Sequence, residues 1–155
     1  MEELIKNQLV KNFNTVFTKI IEILEIVPRE ELTTLVSGKY NLWRAYHIIE
    51  AIEYHIGEKP DDMNWGDRIG IDYNNKINVD EKIKSFTNEH FLNYINEISE
   101  KTTKFINIAD LESKGNFDKF ENTLDRILYY LRHSEWHLGE IYGLLKEQGY
   151  ILKWK

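Results

Sequence analysis

Two histidines four residues apart, His133 and His137, are the residues whose type and spacing best suit chemistry in this chain. On a helix, residues four apart lie on one side, about 40° from each other and one turn apart. Two imidazoles in that arrangement suit one metal ion. The same spacing also occurs where both histidines are solvated on an amphipathic helix, so the pair needs support from the rest of the chain.

The composition limits which groups could bind a metal. The chain has 155 residues, of which 42% are hydrophobic, and it contains no cysteine. The length and the hydrophobic fraction predict a single globular domain over residues 1–155. Without cysteine there is no disulfide, thiolate ligand or cysteine nucleophile, so His, Asp or Glu would have to hold any metal.

The charge pattern indicates which partners to exclude. With 26 acidic and 20 basic residues the formal charge is -6, and both signs are interspersed without a basic stripe. This predicts no nucleic-acid partner. No segment approaches 18 apolar residues, and the first residues include Glu2, Glu3 and Lys6 rather than a signal-like apolar run. We therefore expect no membrane partner and a cytoplasmic location.

Hydrophobic residues recur at helical spacing in four long stretches, and only the short tail at residues 150–154 has strand-like alternation. The sequence therefore predicts an all-α fold, most simply a four-helix bundle. The first predicted helix carries an apolar stripe from Leu9 to Val27 and stops at Pro28, and the second runs from about Asn41 to Ile56, before Gly57. The third begins at Asn78 or Thr87 and ends at a break at residues 107–116. The fourth runs from about Asp118 to Glu147.

Residues 58–78 form a predicted long loop, which carries Gly66, Gly70 and the pair Asn74-Asn75. Loops of this length in compact domains often border functional pockets. The aromatic residues of this loop and of the C-terminal tail would also suit a homodimer.

The last predicted helix has two faces. The face expected to pack inward carries Leu124, Ile127, Leu128, Leu131, Leu138, Tyr142 and Leu145. The histidine face also carries Asn122, Arg126, Tyr129, Tyr130, Glu140 and Leu144. That mixture fits either a solvent-exposed face or the lining of a polar cleft. Gly139 and Gly143, one turn apart, suggest a close approach by another helix or a ligand.

The second predicted helix offers a candidate third ligand, His47. Trp43 and Tyr54 lie within about 40° of it, and Arg44 and Glu50 flank it. Because this helix is apolar over most of its circumference, we expect it to be buried. A buried imidazole needs a partner, which is either a hydrogen bond or a metal.

The remaining histidines and two known metal motifs give little support to other sites. His55 is expected at the surface or at a helix cap, and His90 at the surface in the first turn of the third helix. A di-iron carboxylate site needs Glu-x-x-His pairs, which are absent from this sequence. A zincin site needs H-E-x-x-H, but Ser134 occupies the glutamate position.

The residues around the histidine pair resemble a known family. The sequence from His133 to Ile141, followed by Leu144-Leu145 and Gly149, is similar to the last-helix motif H-x-x-x-H-x-G-Q-I of the DinB/YfiT-like superfamily. The segment from Leu42 to Ala51, with Tyr54, resembles the second-helix segment of that superfamily. Trp154 also matches its tryptophan just past the last helix.

This resemblance implies that His47, His133 and His137 are the ligands of one divalent metal ion, with zinc expected first and nickel or iron as alternatives. It implies an up-down-down-up bundle with the metal at one end. Glu140 departs from the family, which usually has Gln there. A carboxylate at this position would either accept a hydrogen bond from a ligand imidazole or form a surface ion pair. The other pocket candidates near the ligands are Trp43, Glu50, Tyr54, Arg126 and Tyr130.

Characterised members of this superfamily are mostly enzymes that use low-molecular-weight thiols such as bacillithiol or mycothiol. The resemblance therefore implies a metal-dependent transferase that activates a small-molecule thiol for attack on an electrophile, with Arg44, Arg68 or Arg126 available for a carboxylate. It names no catalytic residue. One alternative is a metal-dependent hydrolase with Glu140 or Glu50 as base. The other is a non-catalytic binder whose pocket is formed by Trp43, Tyr46, Tyr54, Trp65 and Tyr73.

Overall fold

The computed structural model describes residues 1–58, 63–71 and 79–152. Most of these residues are helical, consistent with the predicted all-α class. The elements are α1 (Glu2–Ile26), α2 (Arg29–Leu32), β1 (Leu35–Val36), β2 (Lys39–Tyr40), α3 (Asn41–Ile56), a 3-10 turn (Asp67–Ile69), α4 (Val79–Ser85), α5 (Asn88–Ile108) and α6 (Thr123–Glu147).

Two helix ends follow directly from the sequence. The helix α1 ends at Ile26, two residues before Pro28, whose ring and missing N–H prevent the helix from continuing. The helix α3 spans Asn41–Ile56 as predicted, and Gly57 caps it. Gly57 has a φ of -64°, so this cap does not depend on the left-handed conformation that glycine favours.

One of the two predicted starts of the third helix, Thr87, is confirmed, whereas the fourth helix begins later than expected. The third is divided into α4 and α5, and the Thr87 side chain caps α5 by accepting the backbone N–H of His90 at 3.2 Å. The fourth begins at Thr123 rather than near Asp118, because the Asn122 side chain accepts the backbone N–H of Asp125 at 2.8 Å. Asn78, the other predicted start, lies outside the described residues.

A short β-hairpin, which was not predicted from the sequence, precedes α3. It pairs Leu35 with Tyr40 and Val36 with Lys39. Ser37 (φ 50°) and Gly38 (φ 75°) form the two-residue turn, and two positive φ values in succession are typical of a tight hairpin. Residues 150–152 of the tail are not a strand, and the rest of the predicted alternating tail lies outside the described residues.

The four long helices bury one hydrophobic cluster between them. The principal contacts join α1 with α5 and α6, and α3 with the same two helices. The helix α3 is buried over most of its circumference, as expected from its composition. Contact between α3 and α6 is the one that brings the histidines together.

The inward face of α6 differs in part from the predicted one. Leu128 is 40% exposed, whereas Tyr130 and Ile141 are fully buried. Gly139 and Gly143 are both exposed, and no neighbouring heavy atom lies within 4 Å of the place where a Cβ would stand. The expected close helix approach at these glycines is therefore wrong within the described residues.

Part of the predicted long loop is attached to α3. The Glu50 carboxylate is fully buried and accepts the Gly66 backbone N–H at 2.5 Å and the Tyr46 hydroxyl at 3.0 Å. Arg68 pairs with Glu53 at 2.5 Å and with Glu97 at 2.8 Å. These bonds fix residues 63–71 against α3 and α5, while Tyr73, Asn74 and Asn75 lie outside the described residues.

In the described part of the chain, no helix is both long enough and apolar enough to cross a membrane.

Candidate metal site

His47 of α3 faces His133 and His137 of α6. The ring centroids of His133 and His137 are 4.6 Å apart, and that of His47 lies 5.5 and 5.2 Å from them. One ring nitrogen from each residue lies within 4.8 Å of the other two. Nitrogens that share an ion at about 2.1 Å are separated by less than about 4.2 Å, so small side-chain rotations suffice for shared coordination. The geometry and the donor set therefore fit one metal ion.

Aromatic rings pack against each imidazole of the triad. Tyr129 stacks on His133 with centroids 6.3 Å apart, and Trp136 stacks on His137 at 5.3 Å. The ring centroid of Trp65, in the loop, lies 6.0 Å from that of His47. All three histidines are half-buried. The part of the histidine face around His137 and Glu140 therefore lines a cleft, which is one of the two options that the sequence left open, whereas Arg126 and Tyr130 of the same face are buried.

The surroundings keep two of the triad imidazoles neutral. Burial, followed by the charges of His137, His133 and Lys39, lowers the pKa of His47 to about 4. Burial is also the main cause that lowers the pKa of His133. Only a neutral imidazole has a lone pair to give to a metal. At neutral pH these donors therefore need not lose a proton before they bind an ion.

Glu140 orients the imidazole of His137, the third residue of the triad. Its carboxylate accepts a hydrogen bond from Nδ1 of His137 at 2.5 Å. With Nδ1 engaged, Nε2 remains for a metal, and the carboxylate makes the ring a better donor. Of the two roles considered for Glu140, the structure shows the hydrogen bond to a predicted ligand.

We expect the Glu140→Gln variant to bind zinc about 10-fold more weakly than wild type, because an amide supports the imidazole less than a carboxylate does. The measurement is a competition titration against a zinc chelator of known affinity. Glu135→Gln is the matched control, since Glu135 is an exposed glutamate on the same helix. Equal zinc affinities in both variants would contradict a supporting role for Glu140.

Two of the triad histidines, His47 and His137, line a cavity of about 440 Å³. Its walls are formed by the hairpin, α3 and α6, with the lining residues Ser37, Lys39, Trp43, Arg44, His47, Trp136, His137 and Glu140. Trp43 and Glu140 were predicted near the ligands, and Arg44 was one of three candidate carboxylate-binding arginines. Ser37, Lys39 and Trp136 were not predicted, although Trp136 stands directly before His137 in the sequence.

Four other pocket candidates lie outside this cavity. Glu50 is enclosed beneath Gly66. Tyr54 packs on Trp65 with ring centroids 5.0 Å apart, and Trp65 in turn packs near the His47 ring. Tyr130 is fully buried. Arg126 lies between two phenyl rings, 5.1 Å from the centroid of Phe105 and 4.4 Å from that of Phe117.

His55 is buried, contrary to the expected surface or capping position. Its exposed fraction is 6%, and its ring is parallel to that of Tyr130 with centroids 5.4 Å apart. The segment between α5 and α6 covers it, since Phe117 and Phe120 pack against the imidazole. Phe117 and Phe120, which directly follow the predicted break at residues 107–116, were the sequence signal for such a cover. His90 is exposed, as predicted.

Comparison of the chain with protein-family models, curated proteins and solved structures finds no match. The fold and the site define a mostly helical protein with a three-histidine cluster able to bind metal beside a cavity.

Proposed function

We propose that this chain binds one divalent metal ion through His47, His133 and His137 and uses it to activate a low-molecular-weight thiol for transfer to an electrophile. The observation that carries the proposal is the convergence of three imidazoles from two helices beside a cavity. Zinc is the expected ion, with nickel or iron as alternatives.

We also propose an up-down-down-up four-helix bundle like that of the DinB/YfiT-like superfamily. Opposite directions for α1 and α5 are supported by the bonds of Lys6 to Asn107 and of Asn88 to Leu24, which join opposite ends of the two helices. Opposite directions for α3 and α6 are supported in the same way, because His47 contacts His137 while the later His55 contacts the earlier Tyr129. Similar directions for α1 and α6 are supported by the pairs Phe13–Tyr130 and Lys19–Tyr142.

The residues present suit thiol chemistry. A three-histidine zinc site leaves a coordination position open, and the ion supplies the Lewis acidity that favours the thiolate form of a bound thiol. The chain contains no cysteine, so the sulfur must come from a cosubstrate. His47, His133 and His137 would hold the ion, Glu140 would orient His137, and the cavity would accept the reactants.

Metal-assisted hydrolysis is less well supported, because it needs a carboxylate that is available to act as base. The Glu140 carboxylate accepts the hydrogen bond from His137. The Glu50 carboxylate is fully buried and accepts two hydrogen bonds. A non-catalytic metal or ligand binder remains the second candidate, since it would use the same triad and cavity.

The test is conjugation of bacillithiol, mycothiol, glutathione, coenzyme A and cysteine to 1-chloro-2,4-dinitrobenzene, followed by absorbance. We expect zinc-loaded wild-type protein to accelerate the reaction of at least one thiol, and His133→Ala to reduce that rate to the uncatalysed one. The matched control is His90→Ala, which removes an exposed histidine outside the cluster. Equal rates for wild type and His133→Ala with every thiol would reject the transferase. Thermal stabilisation by a thiol without turnover would favour the non-catalytic binder.

A further inference from the structure

The cavity beside the triad has a cationic end. Ser37, Lys39 and Arg44 belong to its lining, and Glu140 is the one acidic residue among the lining residues that the structure describes. This contrasts with the whole chain, whose formal charge is -6. A divalent ion on the triad would add to the positive charge. A cavity of this kind attracts anions, and its low-dielectric walls strengthen the attraction.

Arg44 is a buried cation held mainly by neutral groups. Its guanidinium donates to the carbonyl oxygens of Val36 at 2.9 Å and Lys39 at 3.0 Å, and to the Asn41 side chain at 3.2 Å. No ion pair of Arg44 with a carboxylate occurs within the described ranges. Three acceptors leave part of the five-donor guanidinium for a ligand. The Glu140 carboxylate acts on Arg44 electrostatically without a direct ion pair. A carboxylate in the cavity would add a counter-charge that hydrogen-bonds to the guanidinium directly.

Lys39 places a second positive charge at the same end. Its side chain is exposed, and its Nζ lies 5.5 Å from the ring centroid of Trp43. The strand pairing of the hairpin and the bonds from Arg44 fix the backbone of Lys39 relative to α3. The two cations are therefore positioned by one structural unit, the hairpin together with the first turn of α3.

Two tryptophans provide an apolar surface in the same cavity. Trp136 is 67% exposed although it is a large hydrophobic residue, and its ring stacks on the imidazole of His137. Trp43 is half-buried on α3. Rings of this type in a cavity bind flat apolar groups well. The volume of about 440 Å³ lies in the range typical of small-molecule sites.

We propose that the cavity takes a small aromatic carboxylate, with the carboxylate toward Lys39 and Arg44 and the ring against the tryptophans. This substrate class deepens the proposed function and rests on it: the electrophile would be an aromatic acid that carries a leaving group such as a halide, so that a C–S bond forms as the carbon–halogen bond breaks and the thiol proton passes to solvent. The carboxylate subsite belongs to the chain's own side chains and does not need the metal. Its test can therefore be made on metal-free protein.

The experiment measures quenching of tryptophan fluorescence in metal-free protein by benzoate and phenylacetate, by their neutral analogues benzamide and phenylacetamide, and by acetate and inorganic phosphate. Calorimetry confirms each dissociation constant. We expect at least one aromatic acid to bind at least 10-fold more tightly than its amide, and also more tightly than acetate or phosphate. The difference in affinity between each acid and its amide tests the contribution of Lys39 and Arg44. The difference between the aromatic acids and acetate tests the contribution of the tryptophans.

Two variants assign the subsite. Lys39→Gln should weaken binding of the aromatic acid about 10-fold and leave the amide unchanged, whereas Trp136→Ala should weaken both. Lys114→Gln removes an exposed lysine in the segment between α5 and α6 and should change neither. Both Lys39 and Trp136 are largely exposed, so these variants should fold, which circular dichroism checks. Arg44→Lys is a further variant that retains the charge but loses the forked geometry.

Several results would overturn the inference. They are equal binding of acid and amide, unchanged acid binding in Lys39→Gln, tighter binding of phosphate than of any aromatic acid, and no binding of any probe. Failure of this inference is distinguishable from failure of the proposed function. If the protein prefers the acid but never binds metal, the carboxylate subsite is upheld and the metal-dependent reaction is rejected. If the protein binds one zinc ion but does not prefer the acid, the subsite is rejected and the metal-dependent reaction stands.

Discussion

Wild-type protein purified without a histidine tag is expected to bind one zinc ion per chain, and the His137→Ala variant is expected to lose it. Two remaining imidazoles bind zinc far more weakly than three, because a structural or catalytic zinc site normally has at least three protein ligands. The measurement is metal content by mass spectrometry after dialysis against trace zinc.

His90→Ala is the matched control for this experiment. It removes an exposed histidine that lies outside the cluster, so its metal content should equal that of wild type. Unchanged stoichiometry in His137→Ala would contradict the site. Loss of metal from His90→Ala would show that a histidine outside the triad binds the ion.

The same metal should stabilise the fold. An ion that binds only the folded protein at about 1,000 times its dissociation constant adds about 4 kcal/mol to the free energy of unfolding. For a domain of this size that corresponds to a melting temperature higher by about 10 °C. A chelator should therefore lower the melting temperature of wild type by this amount and leave that of His137→Ala unchanged.

The helices that could be predicted are those with local signals. Pro28 ends the first helical stretch, and Asn41 to Ile56 is a continuous helical pattern. The hairpin gave a weaker signal, since each strand has only two residues and is too short for an alternating pattern. Its turn pair, Ser37-Gly38, was nevertheless visible as a break. The missed hairpin explains why Lys39 was not expected in the cavity.

The candidate site was predictable where periodicity alone places residues together. His133 and His137 share a face because they are one turn apart on α6. The expected burial of the second helix made His47 a candidate third ligand, and the family resemblance implied the same residue. The structure places His47 within reach of both other histidines. Helical spacing alone could not say which side of α6 faces α3, and that choice decides whether Tyr130 lines the cleft or lies in the core. The structure buries Tyr130 fully.

The burial of His55 could not be predicted from helical periodicity, because it depends on a segment that is distant in the sequence. Its position near the end of α3 indicated exposure, but a segment more than 60 residues later in the chain folds over it. Lys119 of that segment and Arg126 of α6 act on the imidazole electrostatically, and no hydrogen-bond partner of its Nδ1 occurs in the described part of the chain. Burial, followed by these two charges, lowers the pKa of His55 to about 3.

This shift predicts that metal-free protein becomes less stable in acid. The ordinary pKa of histidine is about 6.5, which applies to His55 in the unfolded chain. Between pH 6.5 and 3 the unfolded state therefore binds a proton that the folded state does not. The free energy of unfolding should fall by up to about 1.4 kcal/mol per pH unit for this one group as the pH drops through that range. Above pH 6.5 the group contributes no pH dependence.

Urea unfolding of metal-free protein at pH 7, 6, 5 and 4.5 measures the slope, and His55→Phe isolates the contribution of the imidazole. A phenyl ring keeps the aromatic packing against Phe117 and Tyr130 but cannot take up a proton in the unfolded state. Below pH 6.5, His55→Phe should therefore lose stability less steeply than wild type, by about 1 kcal/mol per pH unit. His47, whose pKa is also lowered, keeps its own share of the slope in both proteins. The control is His90→Phe, which alters an exposed histidine and should follow the wild-type curve. Parallel curves for all three proteins would mean that His55 gains a proton in the folded state as readily as in the unfolded chain, and its burial would then not be the source of acid sensitivity.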